Sequence, residues 1–377
     1  MSKRLLLVGG DHFAEKARAI DIDPVRFAGT PDRDALLQAA RDHRVDGLLA
    51  CNHAALAPVV EVTHALNLPC LGLEWLQPGA KLECLQAMRA AALPVAAFHV
   101  VPPQTDAPDP AEAIETPAWV ETCAGGGAGM RFRVEHEADF PLAFVKARKI
   151  APNAPVWVQR AWAGPVYRLL GFKRGREFAA VEIVAEQLSP GPFPTPLGLT
   201  YPPTLSQHDY QDIIEIAAKA ARNLPCGCGL VALELALDGD APLLIGCAAA
   251  PVAHPAYNDL LVEALGIDLE RDCLRVAVGD MPLETPRRAL AAAVRWIPSH
   301  SGVIETISGV EQARNAPGVR KATLAAAPGH ALGHVVDEES RDRIGYVLAV
   351  GARREDALAH AAEAVALIRI ATRQTVA

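Results

Sequence analysis

Residues 117–134 hold the feature that most constrains the fold: two short strand-like segments joined by a cluster of glycines. The first segment contains Trp119 and Val120, and the second alternates so that Phe132 and Val134 share one face, as in a β-strand. Because glycine has no Cβ, backbone N–H groups in such a turn can approach an anion closely. The stretch therefore predicts a hairpin shaped like a phosphate-binding loop. Its glycines are Gly125, Gly126, Gly127 and Gly129.

Length and charge narrow the class of protein. The chain has 377 residues, of which 51% are hydrophobic and 21% charged, which is typical of a folded protein with two or three domains. A net charge of -8 argues against nucleic acid or an anionic membrane as the main partner. No apolar run reaches the roughly 18 residues that span a bilayer. The start of the chain turns polar at Asp11 and His12, unlike a secretion signal, so we expect a cytoplasmic protein.

The eight cysteines are scattered, and only Cys226 and Cys228 are close together, separated by one glycine. A zinc site needs a second pair of Cys or His at ligand spacing, and none is evident. We therefore favour buried, reduced thiols beside a tight turn over metal binding by this pair.

Strands and helices alternate over residues 1–76, which predicts a small doubly wound α/β domain. Its clearest elements are a buried strand at 3–10 and an amphipathic helix at 32–44, and a short strand is expected at 69–73.

The rest of the chain mixes helices with antiparallel strands. The helix at 257–265 is expected to end at Gly266, and residues 102–117 read as a surface connection. From residue 287 a separate module is expected, with a strand at 290–297, a strand pair at 330–337 and 343–352, and a helix from Glu355 to about Ile370. The other predicted elements are helices at 81–93, 137–148 and 208–224, strands at 96–101 and 156–162, and hairpins at 166–187 and 231–248.

This order of elements resembles the ATP-grasp superfamily, most closely its carboxylate–amine ligase branch with an appended C-terminal domain. The resemblance implies α/β and α+β architecture: an N-terminal domain at 1–76, two ATP-grasp lobes at 77–286 with a small lid lobe at about 117–163, and a C-terminal α+β domain at 287–377. In the family, the lobes grip ATP, and a substrate carboxylate becomes an acyl phosphate that an amine attacks.

The resemblance assigns nucleotide contacts to several positions. Lys81 stands where the family has a phosphate-contacting lysine that opens a helix, and the glycine cluster corresponds to the phosphate loop. The family's second phosphate-binding lysine, on the strand before that loop, is replaced by Glu121. A unit charge pair at about 4 Å and an effective dielectric near 20 is worth about 4 kcal/mol, so a carboxylate here opposes a triphosphate.

The strand that links the lobes has also changed. Gln159 replaces the glutamate that accepts from the adenine amino group, although its amide oxygen can still accept, and the backbone near Trp162 can still meet an adenine edge. Val166 replaces the glutamate that holds the ribose hydroxyls, and its side chain has no polar atom for them.

The metal ligands have changed most. Glu234 matches the family's first magnesium-binding carboxylate, but Gly246, Ala248 and Ala250 replace the bridging glutamate, the asparagine and the arginine of the partner strand. Magnesium requires oxygen ligands, which glycine and alanine side chains do not supply. Glu234, Lys81, the glycine cluster, Gln159 and Trp162 are therefore interpreted as a vestigial ATP and metal site.

These changes favour a degenerate ATP-grasp protein, a pseudoenzyme that needs no cofactor and serves as a binding scaffold. The alternative is an active, divergent ligase that uses ATP and Mg²⁺ in cofactor or specialised-metabolite biosynthesis, with His254, Asp259 or Lys146 in displaced catalytic roles. A third hypothesis is another enzyme class that uses His254, His300 or Cys247, although no nucleophile–base pair follows from spacing.

The resemblance and the composition also predict the partners of the protein. They are a small carboxylate metabolite or a partner biosynthetic enzyme, with no nucleic acid and no membrane, and the composition permits a homodimer.

Overall fold

The computed structural model describes residues 2–77, 79–103, 115–125, 128–162, 164–190, 194–224, 227–239, 241–333 and 344–373, with side chains of 123–130 excepted. Most of the predicted surface connection, together with Gly126, Gly127 and Cys226, lies outside these residues.

The helices are placed as follows. They are α1 (Phe13–Arg18), α2 (Arg33–His43), α3 (His53–Ala65), α4 (Ala80–Ala90), α5 (Phe140–Ile150), α6 (Gln207–Asn223), α7 (Pro255–Leu265), α8 (Leu269–Ala277), α9 (Val310–Arg314) and α10 (Arg354–Leu367). Short 3-10 helices lie at Leu73–Leu76 and Glu137–Asp139.

The strands run through the whole described chain. They are β1 (Lys3–Val8), β2 (Ile22–Arg26), β3 (Gly47–Ala50), β4 (Phe98–Val101), β5 (Ala118–Gly125), β6 (Ala128–Val134), β7 (Val156–Arg160), β8 (Val166–Arg174), β9 (Glu177–Leu188), β10 (Pro196–Tyr201), β11 (Cys228–Asp238), β12 (Ala241–Ala250), β13 (Ala291–Trp296), β14 (Gly302–Ser308), β15 (Val319–Leu324), β16 (Ala331–Leu332), β17 (Gly345–Gly351) and β18 (Arg369–Arg373).

The N-terminal domain is a parallel sheet in the order β2-β1-β3 with helices on both faces. Alternation along β1 explains this, because Leu5 and Leu7 pack against α1 while Leu6 and Val8 pack against α2 and α3. The doubly wound domain is therefore confirmed.

An eight-stranded antiparallel sheet forms the centre of the molecule, in the order β12-β11-β8-β9-β10-β13-β17-β15. One face packs against α7 and α8 through a core that includes Leu260 and Val294. The other face packs against α4 and α6 through a core that includes Met88 and Leu233. The predicted hairpins β8–β9 and β11–β12 are confirmed, and α7 ends as expected at Gly266, which has a φ of 75°.

The lid sheet, in the order β4-β7-β5-β6, is a second antiparallel layer. Its outer face is covered by α5, whose Phe140 and Phe144 pack against Val120 and Phe132. The opposite face, which carries Trp157 and Phe98, rests on α4. This sheet contains the two paired strands that the sequence predicted on either side of the glycine cluster.

Strands of the C-terminal part extend the central sheet, because β13 pairs with β10 and β17 pairs with β13. The strands β16, β14 and β18 form a small separate sheet, and α10 packs on β17 and β13. The expected domain boundary near residue 287 falls between β10 and β13 and stays a prediction.

Two predictions about strands are wrong. Residues 69–72 form no strand; the carbonyl of Cys70 accepts one hydrogen bond, of 2.6 Å, from Cys228 at the start of β11, and Leu73–Leu76 is a 3-10 helix. Residues 334–343 of the expected strand pair near the C-terminus lie outside the described part of the chain. Within that part the two strands are not partners, since β16 pairs with β14 while β17 lies between β13 and β15. A short apolar run does not specify its partner, which tertiary packing chooses.

Candidate active-site cleft

Helix α4 brings Lys81 to the junction between the lid sheet and the central sheet. The helix begins after Gly79, whose φ of 90° turns the chain, and Lys81 is its second residue. Cys84, Leu85 and Met88 are fully buried along the same helix, which fixes its position on the protein. Lys81 therefore opens this helix, as expected from the sequence.

The lid hairpin contributes two charged residues to the face that looks toward α4. Glu121 of β5 lies directly opposite Arg131 of β6 in the strand register. Their neighbours Val120 and Phe132 point the other way, into the core under α5. The side chain of Glu121 is only 3% exposed, so its charge needs partners within the protein.

The central sheet contributes three more charged residues. Glu234 of β11 pairs in register with Arg168 of β8. Arg168 in turn lies diagonally opposite Glu186 of β9, and its Nε is 3.1 Å from Glu186 Oε2. Glu234 is flanked on its other side by Gly246 of β12.

These six side chains form one ion cluster, which we define as Lys81, Glu121, Arg131, Arg168, Glu186 and Glu234. Lys81 Nζ lies 3.1 Å from Glu121 Oε2 and 3.4 Å from Glu234 Oε2. Arg131 contacts the same two oxygens at 3.2 Å each, and Arg168 Nη2 lies 3.7 Å from Glu234 Oε1. Three cations balance three carboxylates, so the cluster has no net charge.

The cluster holds Lys81 and Glu234 in their charged forms. Burial alone would lower the pKa of Lys81, but the carboxylates of Glu121 and Glu234 outweigh it and raise that pKa above its ordinary value. Burial alone would raise the pKa of Glu234, but Lys81, Arg168 and Arg131 together hold it well below the usual range. Both oxygens of Glu234 are therefore committed to protein cations near neutral pH.

Gly246 provides the space that Lys81 occupies. A Cβ built on Gly246 would lie 2.6 Å from Lys81 Cε, 2.9 Å from Lys81 Nζ and 2.6 Å from Glu234 Oε2. Any side chain here would push the ammonium and the carboxylate apart. The glycine is thus a structural requirement of the ion cluster.

Aromatic rings close the junction beside the charges. Trp119 of the lid and Trp162 of the linker lie with ring centroids 5.2 Å apart. The guanidinium of Arg131 sits 4.9 Å from the Trp162 ring centroid, which is a cation–π distance. Nearby, Trp157 and Phe98 of the lid pack on Leu82 and Leu85 of α4. Because Trp157 is fully buried, the lid and α4 are in direct contact there.

Structural comparison places this arrangement among known folds. An L-amino acid ligase from Bacillus licheniformis superposes with a TM-score of 0.81 and 18% sequence identity, over 99% of each chain. This chain has the ATP-grasp fold. A carboxyaminoimidazole ribonucleotide synthase from Aspergillus clavatus, solved in complex with ATP, matches with a TM-score of 0.70 and 17% identity over 98% of this chain and 100% of that one.

Sequence comparison agrees at the C-terminal end. Residues 295–373 match the family model described as L-amino acid ligase C-terminal domain 2. The protein y4rH of Sinorhizobium fredii, described as uncharacterized, is 23% identical over 393 residues, covering 95% of this chain and 80% of that protein. The predicted ATP-grasp fold is thereby confirmed.

The ATP-grasp fold implies a magnesium–ATP site, and the residues present do not fit the metal. Glu234 is fully engaged by cations, and the opposite strand offers Gly246, Ala248 and Ala250, which have no side-chain oxygen. No group of three or more His, Cys, Asp or Glu able to hold a metal occurs among the described residues. A dication brought next to Lys81 and Arg131 would be repelled by both.

Four of the predicted nucleotide-site residues lie on the lid and its linker. Gln159 is completely buried on β7, between Phe98 and Trp119 of the neighbouring strands, and neither of its amide atoms has a hydrogen-bond partner within the described protein. Trp162 follows that strand. Gly125 ends β5, and Gly129 belongs to β6. The structure brings Lys81 and Glu234 together, whereas ATP contacts by any of these residues stay predictions.

Residues proposed for displaced catalysis have other contacts. His254 caps α7, where its Nδ1 accepts from the N–H of Ala256 at 3.1 Å. Asp259 receives a 2.6 Å bond from Lys321 and another from the hydroxyl of Tyr346, both in the C-terminal part.

The remaining catalytic candidates are Cys247, Lys146 and His300. Burial raises the pKa of the Cys247 thiol well above its ordinary value, which makes the thiolate scarce. Lys146 lies on α5 at the outer side of the lid sheet, and His300 is an exposed residue after β13. Cys228, from the Cys-Gly-Cys sequence, is a free thiol.

Sequence reasoning missed Arg131, Arg168 and Glu186 as members of the cleft. A signal for Arg131 was available, because a hairpin closed at the glycine cluster sets Arg131 opposite Glu121. The predicted hairpin of β8 and β9 also brings Arg168 near Glu186, but the approach of Arg168 to Glu234 depends on the long-range pairing of β8 with β11.

Proposed function

We propose that this protein is a degenerate ATP-grasp protein, a pseudoenzyme that does not turn over ATP and acts as a binding scaffold. The observation that carries the proposal is the ammonium of Lys81, 3.1 Å and 3.4 Å from the two carboxylates that face it. A protein cation thus neutralises the carboxylate that the family uses for magnesium. The neutral ion cluster leaves no excess positive charge at this point for a triphosphate.

The scaffold retains the parts of the fold that do not depend on nucleotide. The lid sheet and the central sheet that form the cleft are intact, and the lid rests on α4 through buried side chains. The ligands we propose are a small carboxylate metabolite or a partner biosynthetic enzyme, because the similar solved structures include an L-amino acid ligase. No helix of the described chain has the length and apolar character needed to cross a membrane.

Isothermal titration calorimetry with ATP and Mg²⁺ tests the proposal. The expected result is no magnesium-dependent binding, with the Aspergillus clavatus synthase that was solved with ATP as the positive control. Tight binding that requires Mg²⁺ would contradict the proposal. So would release of ADP or phosphate that depends on an amino acid and disappears in Glu234→Gln, and that result would instead support an active, divergent ligase.

A further inference from the structure

The ion cluster joins the lid sheet, the central sheet and α4. Glu121 and Arg131 belong to the lid sheet, Glu234 and Arg168 belong to the central sheet, and Lys81 belongs to α4. The contact between Arg131 and Glu234, at 3.2 Å, crosses from the lid to the central sheet. The contact between Lys81 and Glu121, at 3.1 Å, crosses from α4 to the lid.

We propose that this cluster is a built-in clamp that keeps the lid closed on the central sheet without nucleotide or metal. The chain's own cations take the place beside Glu234 that a metal would need, and the missing side chain of Gly246 gives them room. This inference deepens the proposed function and rests on it, because a clamp of this kind fills the site where nucleotide turnover would occur.

The burial of the charges explains why the clamp would hold. The side chains of Glu121, Glu234 and Arg131 are 3%, 12% and 17% exposed, so water screens their attraction poorly. Removing one member leaves an opposite charge buried without its partner, which is far more costly than losing a surface pair. Opening the lid would separate Arg131 from Glu234 and Lys81 from Glu121, so these poorly screened attractions would be lost to water.

The aromatic contacts add a second barrier to opening and provide a reporter. Trp119, Trp157 and Trp162 are all buried at this junction, whereas the other tryptophans, Trp75 and Trp296, lie in the cores of the central sheet. Parting of the lid would expose the first three to solvent. Acrylamide quenching of tryptophan fluorescence therefore measures closure, and small-angle X-ray scattering measures the accompanying change in radius of gyration.

The experiment compares Arg131→Gln with a matched control on the same strand, using the full chain without ligand. Arg133 pairs with Glu135 at 2.6 Å entirely within the lid, so Arg133→Gln removes a lid ion pair that does not cross to the central sheet. Arg131→Gln is expected to shift the balance between closed and open lid about tenfold or more toward open. Quenching and radius of gyration should then rise. Because the Arg133 guanidinium lies 5.3 Å from the Trp119 ring centroid, Arg133→Gln is judged by its radius of gyration, which should match that of the parent protein.

A charge-neutral pair keeps the test decisive if Arg131→Gln folds poorly. Lys81→Met and Glu121→Gln each leave the buried cluster with one unbalanced charge, whereas the double variant removes one cation and one carboxylate together and keeps the cluster neutral. A clamp predicts that the double variant is less open than the sum of the single effects. Additive effects, or quenching in Arg131→Gln equal to the parent value, would overturn the proposal. Neither readout involves ATP, so the clamp can fail while the calorimetric test of the proposed function succeeds, and the reverse.

Discussion

At the scale of single residues, the substitutions in the cleft fit one another. Glu121 alone reads as a charge that opposes phosphate, and Gly246 alone reads as a lost ligand. Together with Lys81 they form a compact set, in which the glycine makes space for the ammonium and the carboxylate receives it. The carboxylates of Glu121 and Glu234 are therefore neutralised by a cation of the protein itself.

The need for a residue without a side chain at position 246 is directly testable. Gly246→Ala would place a Cβ 2.6 Å from Lys81 Cε and Glu234 Oε2, so the ion pairs must lengthen. The φ of Gly246 lies outside the left-handed region, so the cost of the substitution comes from crowding. We expect the free energy of unfolding, measured with urea, to fall by about 1–3 kcal/mol.

Gly333→Ala is the matched control for that substitution, because a Cβ there meets no atom of the described residues within 4 Å. Its free energy of unfolding should change by no more than about 0.5 kcal/mol. An equal effect of the two substitutions would show that Gly246 is not crowded.

Single residues also mark how far sequence reasoning could go. The changes at Glu121, Val166, Gly246, Ala248 and Ala250 were visible without a structure, because each falls in a local motif. The contacts that the charged side chains make with one another were not visible from the sequence, because they depend on which strands pair. The position of Glu234 beside Arg168 is set by the register of β11 and β8, which are separated by β9, β10 and α6 in the chain.

At the scale of elements, helices and hairpins were predictable where one periodicity dominates. The helix α6 and the hairpin β8–β9 have clear patterns, and both form as expected. Helix α8 was not predicted, although its residues bury on one side against β11 and the N-terminal domain. Short helices such as this one have too few turns for periodicity to separate them from loops.

One contact between elements gives a pH-dependent signal. Glu182 of β9 accepts a 2.7 Å hydrogen bond from the hydroxyl of Tyr210 on α6 and a 3.4 Å bond from Tyr201 on β10. Burial, together with the nearby Glu182 carboxylate, raises the pKa of Tyr201 to about 12. Free tyrosine ionises near pH 10, so the stabilisation from this phenol is complete below about pH 10 and is lost as the pH rises toward 12.

Absorbance of tyrosinate near 295 nm follows this ionisation. We expect Tyr201→Phe to remove one ionisation step near pH 12. Glu182→Gln should move that step only part of the way toward pH 10, because burial is the larger cause and remains. A parent titration in which every tyrosine ionises near pH 10 would contradict the expected burial.

At the scale of the whole molecule, one sheet unites regions that the sequence divides. The pairing of β10 with β13 carries the central sheet across the expected boundary near residue 287. The core on one face of that sheet contains residues of β8, β9 and β10, which precede this boundary, and residues of β13 and β17, which follow it. Helix α7 packs across all of these strands. The central and C-terminal parts should therefore unfold together.

Leu260 tests this cooperation, because it is fully buried on α7 in the shared core. Leu260→Ala should lower the free energy of unfolding by about 2–5 kcal/mol. Hydrogen exchange should then rise by a similar factor in β9 and in β17, which lie on opposite sides of the predicted boundary. Faster exchange confined to β9 would show two independent folding units.

The space at Gly246 also bears on evolution. Restoring a carboxylate at this position by one mutation would drive a side chain into Lys81, while losing Lys81 first would leave Glu121 with one cation fewer in a buried site. Each single step back toward a metal site thus passes through a less stable protein. In a pseudoenzyme of the kind we propose, Gly246 would therefore make a return to metal binding through single mutations costly.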